Sequence, residues 1–578
     1  MFHRSSLLAD TLANDEARDV LEQFMPELLT NPFFATLPGV RLGQVFAFNP
    51  KFRTSSPELD GLLAGLAAIE AGDEPMNYGP TIAPRKDFDD RPRASAAVTL
   101  PEPTPRWGVI EIAFDGPSHG NPFVDVELTA TFSRGDRELT AGGFYDGDGV
   151  YRVRLLAEDE GEWTFTTTST ASSLDGISGS VVVVAPVAGN HGPVRVDGFH
   201  FAHADGTRHR PLGTTAYAWT SQDELLEEKT LATLKNAPFT KMRMCVFPKS
   251  YLYNSNEPSS YAFEGSVEDG WDVTRFNPEF FRHLENRIAQ LGELGIQADL
   301  ILLHPYDRWG FADLGPAADD RYLTYIVRRL AAYANVWWSM ANEFDLMWAK
   351  SLDDWERMAA VVGANDPHGH LNSIHNCLWF YDYTKPWITH CSVQRIDVYR
   401  TAENTNEWRE QWAKPIVIDE CAYEGDIDQG WGNVTGEELT RRFWEGAVRG
   451  GYVGHGETYL NEAEELWWSK GGELVGTSPD RIRFLEQILA ESPTGVLDPL
   501  PSEWDVPWGG VAGEYLVAYF GFNRPRFRNV PLPDGNFYVD VIDTWNMTID
   551  RLPGIHSGMV RVDLPARQYM AVRLVAAG

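Results

Sequence analysis

The spacing of apolar residues changes several times along the chain, and each spacing predicts a different architecture. Apolar positions recur at helical spacing across residues 5–30, and a second helix is predicted at 57–70, where Ala-Gly-Asp-Glu-Pro follows as a stop signal. Residues 71–105 are rich in Pro, Asp and Arg and have no period. We therefore expect an N-terminal helical segment over 1–70 and a linker over 71–105.

Alternation of apolar and polar residues begins at Trp107 and indicates short β-strands between Gly and Asp turns. This pattern predicts an antiparallel β-sandwich over 106–190. The rhythm then becomes strand, helix, strand, with eight candidate strands, which predicts a (β/α)8 barrel over 198–492. Alternation returns over 493–578. The predicted fold class is multidomain α/β plus β: a TIM barrel flanked by an N-terminal and a C-terminal antiparallel β-sandwich, with an N-terminal helical segment.

Charge, cysteine spacing and apolar runs limit the binding partners and the cellular location that the sequence predicts. The 578 residues include 83 Asp and Glu against 49 Lys and Arg, a net charge of −34, which disfavours nucleic acid and anionic membranes as partners. The four cysteines form no CxxC pair and are predicted to be reduced. The sequence has no apolar run of roughly 18 residues and no signal-peptide core, so a cytoplasmic protein is expected.

Two glutamates follow predicted barrel strands. Glu343 ends the run Ser-Met-Ala-Asn-Glu after strand four, and Glu420 ends Ile-Asp-Glu after strand seven. Reactive groups of such barrels lie at the C-terminal ends of the strands, and strands four and seven face each other across the mouth. Glycoside hydrolysis requires two carboxyl groups placed in this way.

The flanking sequences, NVWWSMANEFDLM and KPIVIDECAYEG, resemble those of glycoside hydrolase clan A, and in particular the apiosidase-like barrels with an N-terminal sandwich. The resemblance covers about residues 105–578 and implies a retaining mechanism. No HxH or HExxH spacing occurs among the histidines at the predicted strand ends, and no metal or cofactor is expected. The resemblance assigns Glu343 as general acid/base and Glu420 as nucleophile. It also implies that Asn342 binds the sugar 2-hydroxyl and that Arg243 keeps Glu420 ionised, as a neighbouring cation would.

Two expected features of the clan are missing from the sequence pattern. The clan usually has a Tyr from strand six, where this chain has His390, and a Trp from strand eight, where it has Glu457. His390 is therefore a candidate replacement for the Tyr. Glu457 is a third acid that could bind a hydroxyl or compete with Glu420 as the nucleophile.

Polar and aromatic residues at the other strand ends are candidates for binding the sugar. His304, Asp307 and Trp309 are the best candidates for a terminal sugar. The remaining candidates are Tyr217, Trp219, His375 and Tyr423.

The sequence thus predicts a retaining exo-glycosidase acting on small glycosides or oligosaccharides. One alternative is a metal-dependent barrel hydrolase that uses histidines from four strands, His304, His375, His390 and His455. Another alternative is a carbohydrate-binding protein without catalysis. The N-terminal helices could cap the barrel bottom or bury a subunit interface, so a homo-oligomer is one of the possible assemblies.

Overall fold

The computed structural model describes residues 2–4, 6, 8–26, 28, 41–49, 51–52, 56–69, 82–397, 400–502 and 505–578. The predicted linker therefore lies partly outside the described residues, as do residues 29–40 of the predicted helical segment. The N-terminal helices are Leu8–Ala13, Asp15–Phe24, Leu42–Phe48 and Pro57–Ala67. They bury a small apolar core of their own, which includes Leu21, Phe46 and Leu62.

The first β-sandwich buries alternate side chains, as its sequence pattern requires. Strand Gly161–Ser169, for example, buries Trp163, Phe165 and Thr167 and turns the intervening residues outward. Strand Arg137–Tyr145 pairs with one neighbour at its start and with another at its end, so it belongs to both sheets. The strands are Val98–Thr99, Thr104–Pro105, Val109–Asp115, Leu128–Arg134, Arg137–Tyr145, Val150–Leu156, Gly161–Ser169 and Ser178–Val184, with one helical turn at Pro122–Asp125. The first two strands come from the predicted linker.

Eight parallel strands form the barrel. A small sheet precedes them in the chain and consists of Val194–Asp197, His200–His203 and Arg208–His209. We number the barrel strands β1–β8. Neighbouring strands pair in parallel around the barrel, and a single bridge between His375 and Ser392 joins β5 to β6. The strands are β1 Gly213–Thr215, β2 Lys241–Cys245, β3 Gln297–Ile301, β4 Val336–Ser339, β5 Asn372–Ser373, β6 Cys391–Gln394, β7 Ile416–Glu420 and β8 Tyr452–His455.

Amphipathic helices surround the barrel and bury their apolar faces against it. Helix Pro278–Glu293, for example, begins at the cap residue Asn277 and buries Phe281, Leu284 and Ile288. The helices are Glu224–Leu234, Pro278–Glu293, Pro316–Leu330, Leu352–Asn365, Thr405–Trp412, Gly436–Val448, Trp467–Lys470 and Ser478–Ala490. The loop after β2 carries a hairpin, Phe263–Ser266 with Gly270–Phe276, and the short strands Glu424–Gly425 and Glu457–Thr458 pair beyond β7 and β8.

The second β-sandwich packs on the barrel helices near the C-terminus. The Trp444 ring stacks on Tyr519 at 5.5 Å, and the Tyr515 hydroxyl donates to the Ile488 carbonyl at 2.7 Å. Its strands are Asp498–Leu500, Trp508–Val511, Tyr515–Tyr519, Phe527–Pro531, Phe537–Asp543, Thr548–Arg551, Met559–Asp563 and Met570–Ala576. The predicted fold class is confirmed.

The N-terminal helices lie against the mouth of the barrel. Gly43 packs on the side chain of Trp348 in the loop after β4, and Arg41 Nη1 lies 3.7 Å from Asp313 Oδ2 in the loop after β3. Both loops extend from the C-terminal ends of their strands, so the helices do not cap the barrel bottom. None of the helices in the described part of the chain has the length and apolar character needed to cross a membrane.

Candidate active site

The two glutamates predicted from the sequence lie at the C-terminal ends of β4 and β7. Glu343 follows β4 by four residues, and Glu420 is the last residue of β7. Glu343 has a φ of 49°, in the left-handed region. A residue other than glycine adopts this conformation at a cost of about 1–3 kcal/mol, and such strain is concentrated at functional sites.

Three side chains hold Glu420 as a carboxylate. Arg243 Nη1 donates to its Oε1 at 2.8 Å, the Tyr217 hydroxyl donates to the same oxygen, and His375 Nε2 lies 3.2 Å from it. Burial by itself would raise the pKa of Glu420. The charges and hydrogen bonds of His375, Arg243 and Tyr217 outweigh burial and lower this pKa to about 2. Glu420 is therefore ionised at neutral pH.

Glu343 has the opposite surroundings. The Tyr306 hydroxyl donates to Oε2 of Glu343, and Asn342 Nδ2 lies 3.3 Å from the same oxygen. Burial and then the negative charge of Glu420 raise the pKa of Glu343 to about 7, against the opposing effects of Tyr306 and Lys249. A carboxyl group with this pKa retains its proton over much of the neutral range.

One network of polar side chains joins the two carboxyl groups. Asn342 contacts Glu343 through its amide nitrogen, and its Oδ1 lies 3.4 Å from the Tyr217 hydroxyl. That hydroxyl donates to Glu420 and accepts from Arg243 Nη1 at 3.0 Å. The barrel therefore brings β1, β2, β4 and β7 together around the pair.

Buried ion pairs support the network from inside the barrel. Lys241 Nζ donates to Asp299 and to Asp419, in both cases at 2.6 Å. The Ser392 hydroxyl donates to Asp419 at 2.6 Å and lies 2.9 Å from His375 Nδ1. Through Ser392 and His375, the strand β7 that carries Glu420 is tied to β5 and β6.

A lysine surrounded by aromatic rings completes the site, and the sequence analysis missed it. Lys249 Nζ lies 3.4 Å from the centroid of the Tyr217 ring, 4.4 Å from that of Tyr306 and 4.6 Å from that of Trp468. Lys249 follows the end of β2 by four residues, so a search of the strand ends that included cations would have found it.

Trp468 supplies an aromatic wall that the sequence did not predict for this side of the barrel. It lies in the short helix Trp467–Lys470, beyond β8, and its ring is 5.6 Å from that of Tyr217. Tyr423 lies beside it with ring centroids 6.2 Å apart, and among the described residues the buried Tyr423 hydroxyl has no hydrogen-bond partner. Burial and then the negative charge of Glu420 raise the pKa of Tyr423.

Four candidates from β1 and β3 form contacts within the protein. Trp219 Nε1 donates to Met244 Sδ at 3.3 Å in the core, and His304 Nε2 lies 3.2 Å from the Phe247 carbonyl. Asp307 accepts the backbone N–H of Trp309 at 2.8 Å, and Trp309 Nε1 donates to Glu257 at 2.9 Å. These polar groups tie the loops after β2 and β3, and none of these contacts joins them to the two glutamates.

His390 and Glu457 also lie apart from the pair. His390 precedes β6, at the opposite end of the barrel, where its ring packs 5.8 Å from Phe201 and 5.2 Å from Trp337. Glu457 Oε2 accepts the backbone N–H groups of Val475 and Gly476 at 2.8 and 2.9 Å, so its carboxylate anchors the loop after β8.

The four histidines of the metal alternative are dispersed. Within the described ranges, ligand atoms of Glu424, His455 and Glu457 lie within 4.8 Å of one another. Beside this group, Trp467 Nε1 donates to Thr214 Oγ1 at 2.8 Å, and Thr214 Oγ1 lies 2.9 Å from His455 Nδ1. His455 Nε2 lies 3.5 Å from a Glu457 oxygen.

Comparison with known proteins identifies the class of this site. The family model described as the apiosidase-like catalytic domain matches residues 197–473. A candidate glycoside hydrolase from Bacteroides vulgatus ATCC 8482, known from a crystal structure, shares 37% sequence identity with a TM-score of 0.79, over 82% of this chain and 100% of its own. The chain belongs to the glycoside hydrolases. Its catalytic domain is apiosidase-like, as the resemblance implied.

Other comparisons concern the flanking domains and the fold. Two further family models, each described as a domain of unknown function, match residues 103–170 (DUF5060) and 504–575 (DUF5605) of this glycoside hydrolase. A family 5 glycoside hydrolase from Bacteroides vulgatus ATCC 8482 is 15% identical over 67% of this chain and 94% of its own, with a TM-score of 0.53, a likeness of fold alone. No curated protein matches the chain.

Proposed function

We propose that this glycoside hydrolase is a retaining exo-glycosidase that cleaves O-glycosidic bonds of small glycosides or oligosaccharides by double displacement. Glu420 is the proposed nucleophile and Glu343 the proposed general acid/base. The observation that carries the proposal is the opposite protonation of two buried glutamates at one barrel mouth, with pKa values of about 2 for Glu420 and about 7 for Glu343. Retaining hydrolysis requires one ionised and one protonated carboxyl group.

In the first step, a Glu420 oxygen attacks the anomeric carbon and the bond to the leaving oxygen breaks. The Glu343 proton moves to that oxygen, so the alcohol leaves neutral and a glycosyl ester forms on Glu420. Arg243 and Tyr217 bind the Glu420 oxygen beforehand, which favours the charged nucleophile. Asn342 lies between the two glutamates, where it can bind the sugar 2-hydroxyl.

In the second step, ionised Glu343 takes a proton from water as the water oxygen attacks the anomeric carbon. The ester bond to Glu420 breaks, its carboxylate is regenerated, and the sugar leaves with its original anomeric configuration. Glu343 thereby recovers its proton. The sugar-facing groups in this proposal are Tyr217, His375 and Tyr423 together with Trp468.

The burial of the pair supports a small substrate or a chain end. Glu343 exposes 4% of its surface and Glu420 7%, and the N-terminal helices contact the loops after β3 and β4 at the same mouth. An enzyme that cleaves within a polymer would need an open cleft that passes the carboxyl pair on both sides. We therefore propose exo-action on a carbohydrate.

The test uses a panel of p-nitrophenyl pyranosides and furanosides with wild type, Glu420→Gln and Glu343→Gln. We expect Glu420→Gln to lower kcat by at least about 10³-fold, because removing a nucleophile abolishes the covalent route. Glu343→Gln should be rescued by azide, with a glycosyl azide of retained configuration identified by NMR. Glu457→Gln is the matched control, since Glu457 binds a loop, and it should keep its turnover.

Four outcomes would contradict the proposal or part of it. Wild-type rates in Glu420→Gln would remove it as the nucleophile. Turnover that EDTA abolishes and Glu420→Gln leaves intact would favour a metal-dependent hydrolase. An inverted product anomer would exclude double displacement, and a ladder of long products from a polysaccharide would exclude exo-action.

A further inference from the structure

Among the described residues, no carboxylate pairs directly with Lys249 in the active site. Arg243 is paired with Glu420 at 2.8 Å, and Lys241 is paired with Asp299 and Asp419 at 2.6 Å. By contrast, within the described residues Lys249 Nζ has no hydrogen-bond acceptor and no carboxylate oxygen within 4.0 Å. Yet Lys249 is a buried residue that exposes only 3% of its surface.

Aromatic rings fix the position of this ammonium group. The faces of Tyr217, Tyr306 and Trp468 lie 3.4 to 4.6 Å from Nζ, and such cation–π contacts favour a desolvated cation. Burial lowers the pKa of Lys249 to about 8, against the opposing effects of nearby groups that include Glu343 and Glu420, so the charge persists at neutral pH. Ring faces accept no directed hydrogen bond of normal strength, so the ammonium N–H groups retain donor capacity.

The position of Lys249 links it to the substrate. Tyr217 also donates to Glu420, and Tyr306 donates to Glu343, so the rings that hold Lys249 are the same ones that contact the two catalytic glutamates. A sugar held between the glutamates would meet this ammonium group. A buried cation with no carboxylate in direct contact is only partly compensated, so a ligand that brings a negative charge gains a charge-assisted hydrogen bond.

We propose that Lys249 binds a carboxylate of the sugar held at the catalytic pair, so that the preferred substrates of this enzyme are glycosides of uronic acids. The inference rests on the proposed function, because it uses the same pair to position the sugar. The net charge of −34 opposes an anionic ligand only at long range, since salt screens surface charges beyond about 10 Å at 0.1 M ionic strength. Lys249 acts at contact distance.

Another role for Lys249 is to adjust the pKa of Glu343 without touching the substrate. A lysine with that role would be expected to pair directly with the carboxyl group, as Arg243 does with Glu420. Lys249 instead lies against rings. The two roles differ in what they discriminate: adjustment of the pKa affects every substrate equally, whereas carboxylate binding affects uronic acids alone.

The first experiment measures binding to the wild-type full chain by isothermal titration calorimetry. The probes are D-glucuronic and D-galacturonic acid, each compared with its neutral counterpart, D-glucose or D-galactose. We expect at least one uronic acid to bind about 10-fold more tightly than its neutral counterpart, which is the scale of one hydrogen bond to a charged group. No preference for either uronic acid would overturn the proposal.

The second experiment compares Lys249→Met with Lys249→Arg, which keeps the charge. Lys249→Met should weaken uronic acid binding by about 10- to 100-fold more than it weakens binding of the neutral counterpart, while Lys249→Arg should retain part of the preference. Lys229→Met, which removes a half-exposed lysine near Glu465, is the control and should change neither. Equal losses for charged and neutral sugars would overturn the proposal. If Lys249→Met does not fold, the wild-type comparison still decides.

Turnover separates failure of this inference from failure of the proposed function. The p-nitrophenyl uronides and their neutral counterparts are assayed with wild type and Glu420→Gln. Preference for neutral glycosides with turnover that depends on Glu420 would overturn the role of Lys249 and leave the glycosidase proposal intact. Turnover that is independent of Glu420 would overturn the proposed function itself.

Discussion

Two glutamates with similar burial acquire opposite protonation because their nearest neighbours differ. Glu420 faces a guanidinium, an imidazole and a phenol, which together outweigh the cost of burying its charge. Glu343 faces a phenol and an amide, and the nearby charge of Glu420 adds to the effect of burial. The difference between the roles of the two residues therefore lies in the side chains from β1, β2 and β5, rather than in the glutamates themselves.

The pH profile of kcat/KM should reflect this difference. Glu343 acts protonated in the first step, so activity should fall as the pH rises through about 7, and Glu420 acts ionised, so activity should fall only as the pH drops towards about 2. Initial rates between pH 3 and 9 test this. A 2,4-dinitrophenyl glycoside, whose leaving group needs no acid, should lose the basic limb. A basic limb that persists unchanged with this substrate would contradict the role of Glu343.

Tyr217→Phe should lower the catalytic rate much more than it lowers the stability of the fold. It removes one hydrogen bond to Glu420, so we expect kcat to fall by about 10- to 100-fold while the free energy of unfolding falls by about 1 kcal/mol. Tyr151→Phe is the matched control, because its buried hydroxyl donates to the Pro117 carbonyl in the first sandwich. It should lose similar stability in urea unfolding and retain full activity. Equal kcat values for the two variants would exclude a role for Tyr217 in catalysis.

At the level of elements, one short helix links the N-terminal segment to the catalytic loops. Helix Leu42–Phe48 lies on the turn Phe344–Leu346 in the loop after β4, and this turn directly follows Glu343 in the chain. A Cβ atom at Gly43 would lie 2.3 Å from Cβ of Trp348, so the contact requires glycine. The close contact between Gly43 and Trp348 therefore helps to hold the N-terminal helices at the barrel mouth.

Gly43→Ala should therefore weaken the packing of the helical segment on the barrel mouth. We expect a loss of about 1–3 kcal/mol, as for overpacking elsewhere, and faster hydrogen–deuterium exchange in residues 42–48. Gly363→Ala in helix Leu352–Asn365 is the control, because nothing lies within 4 Å of its added methyl group. It should be neutral or stabilising by about 0.4–1 kcal/mol. Unchanged exchange in Gly43→Ala would mean that this contact does not hold the helices.

At the level of the whole molecule, buried charges join the first sandwich to the barrel. Arg154 of the sandwich donates to Glu285 of a barrel helix at 2.7 Å, and Arg329 of the next helix donates to Glu285 at 2.6 Å. Arg329 also reaches back to Asp146 of the sandwich at 2.8 Å. Since each partner is buried, removing one would leave the others without compensation.

Glu285→Gln should consequently destabilise the first sandwich and the barrel. We expect a loss of about 3–5 kcal/mol and a single calorimetric transition in the wild type that separates into two in the variant. Glu407→Gln removes an exposed pair with Arg400 and should cost no more than about 1 kcal/mol. Two transitions in the wild type would show that the sandwich unfolds independently of the network.

The order of the architectures was predictable from the sequence because each has its own apolar period. Alternation marked both sandwiches, and the strand–helix rhythm marked the barrel. Strands Val98–Thr99 and Thr104–Pro105 were missed because two residues are too short to show a period. The pair Glu343 and Glu420 could be predicted as well, because the C-terminal ends of parallel barrel strands meet at one mouth wherever the loops run.

Tertiary structure decided which of the other candidate residues lie at that mouth, and it added residues that the sequence analysis did not name. His390 was assigned to the end of strand six, but β6 begins one residue later at Cys391, and a shift of a few residues moves a side chain from one end of the barrel to the other. Lys249, Tyr306 and Trp468 lie on loops whose paths depend on packing rather than on local sequence. The sequence by itself therefore determined the barrel and its two glutamates, through periodicity and strand direction, whereas the protonation of those glutamates and the cation beside them depend on contacts between residues distant in the chain.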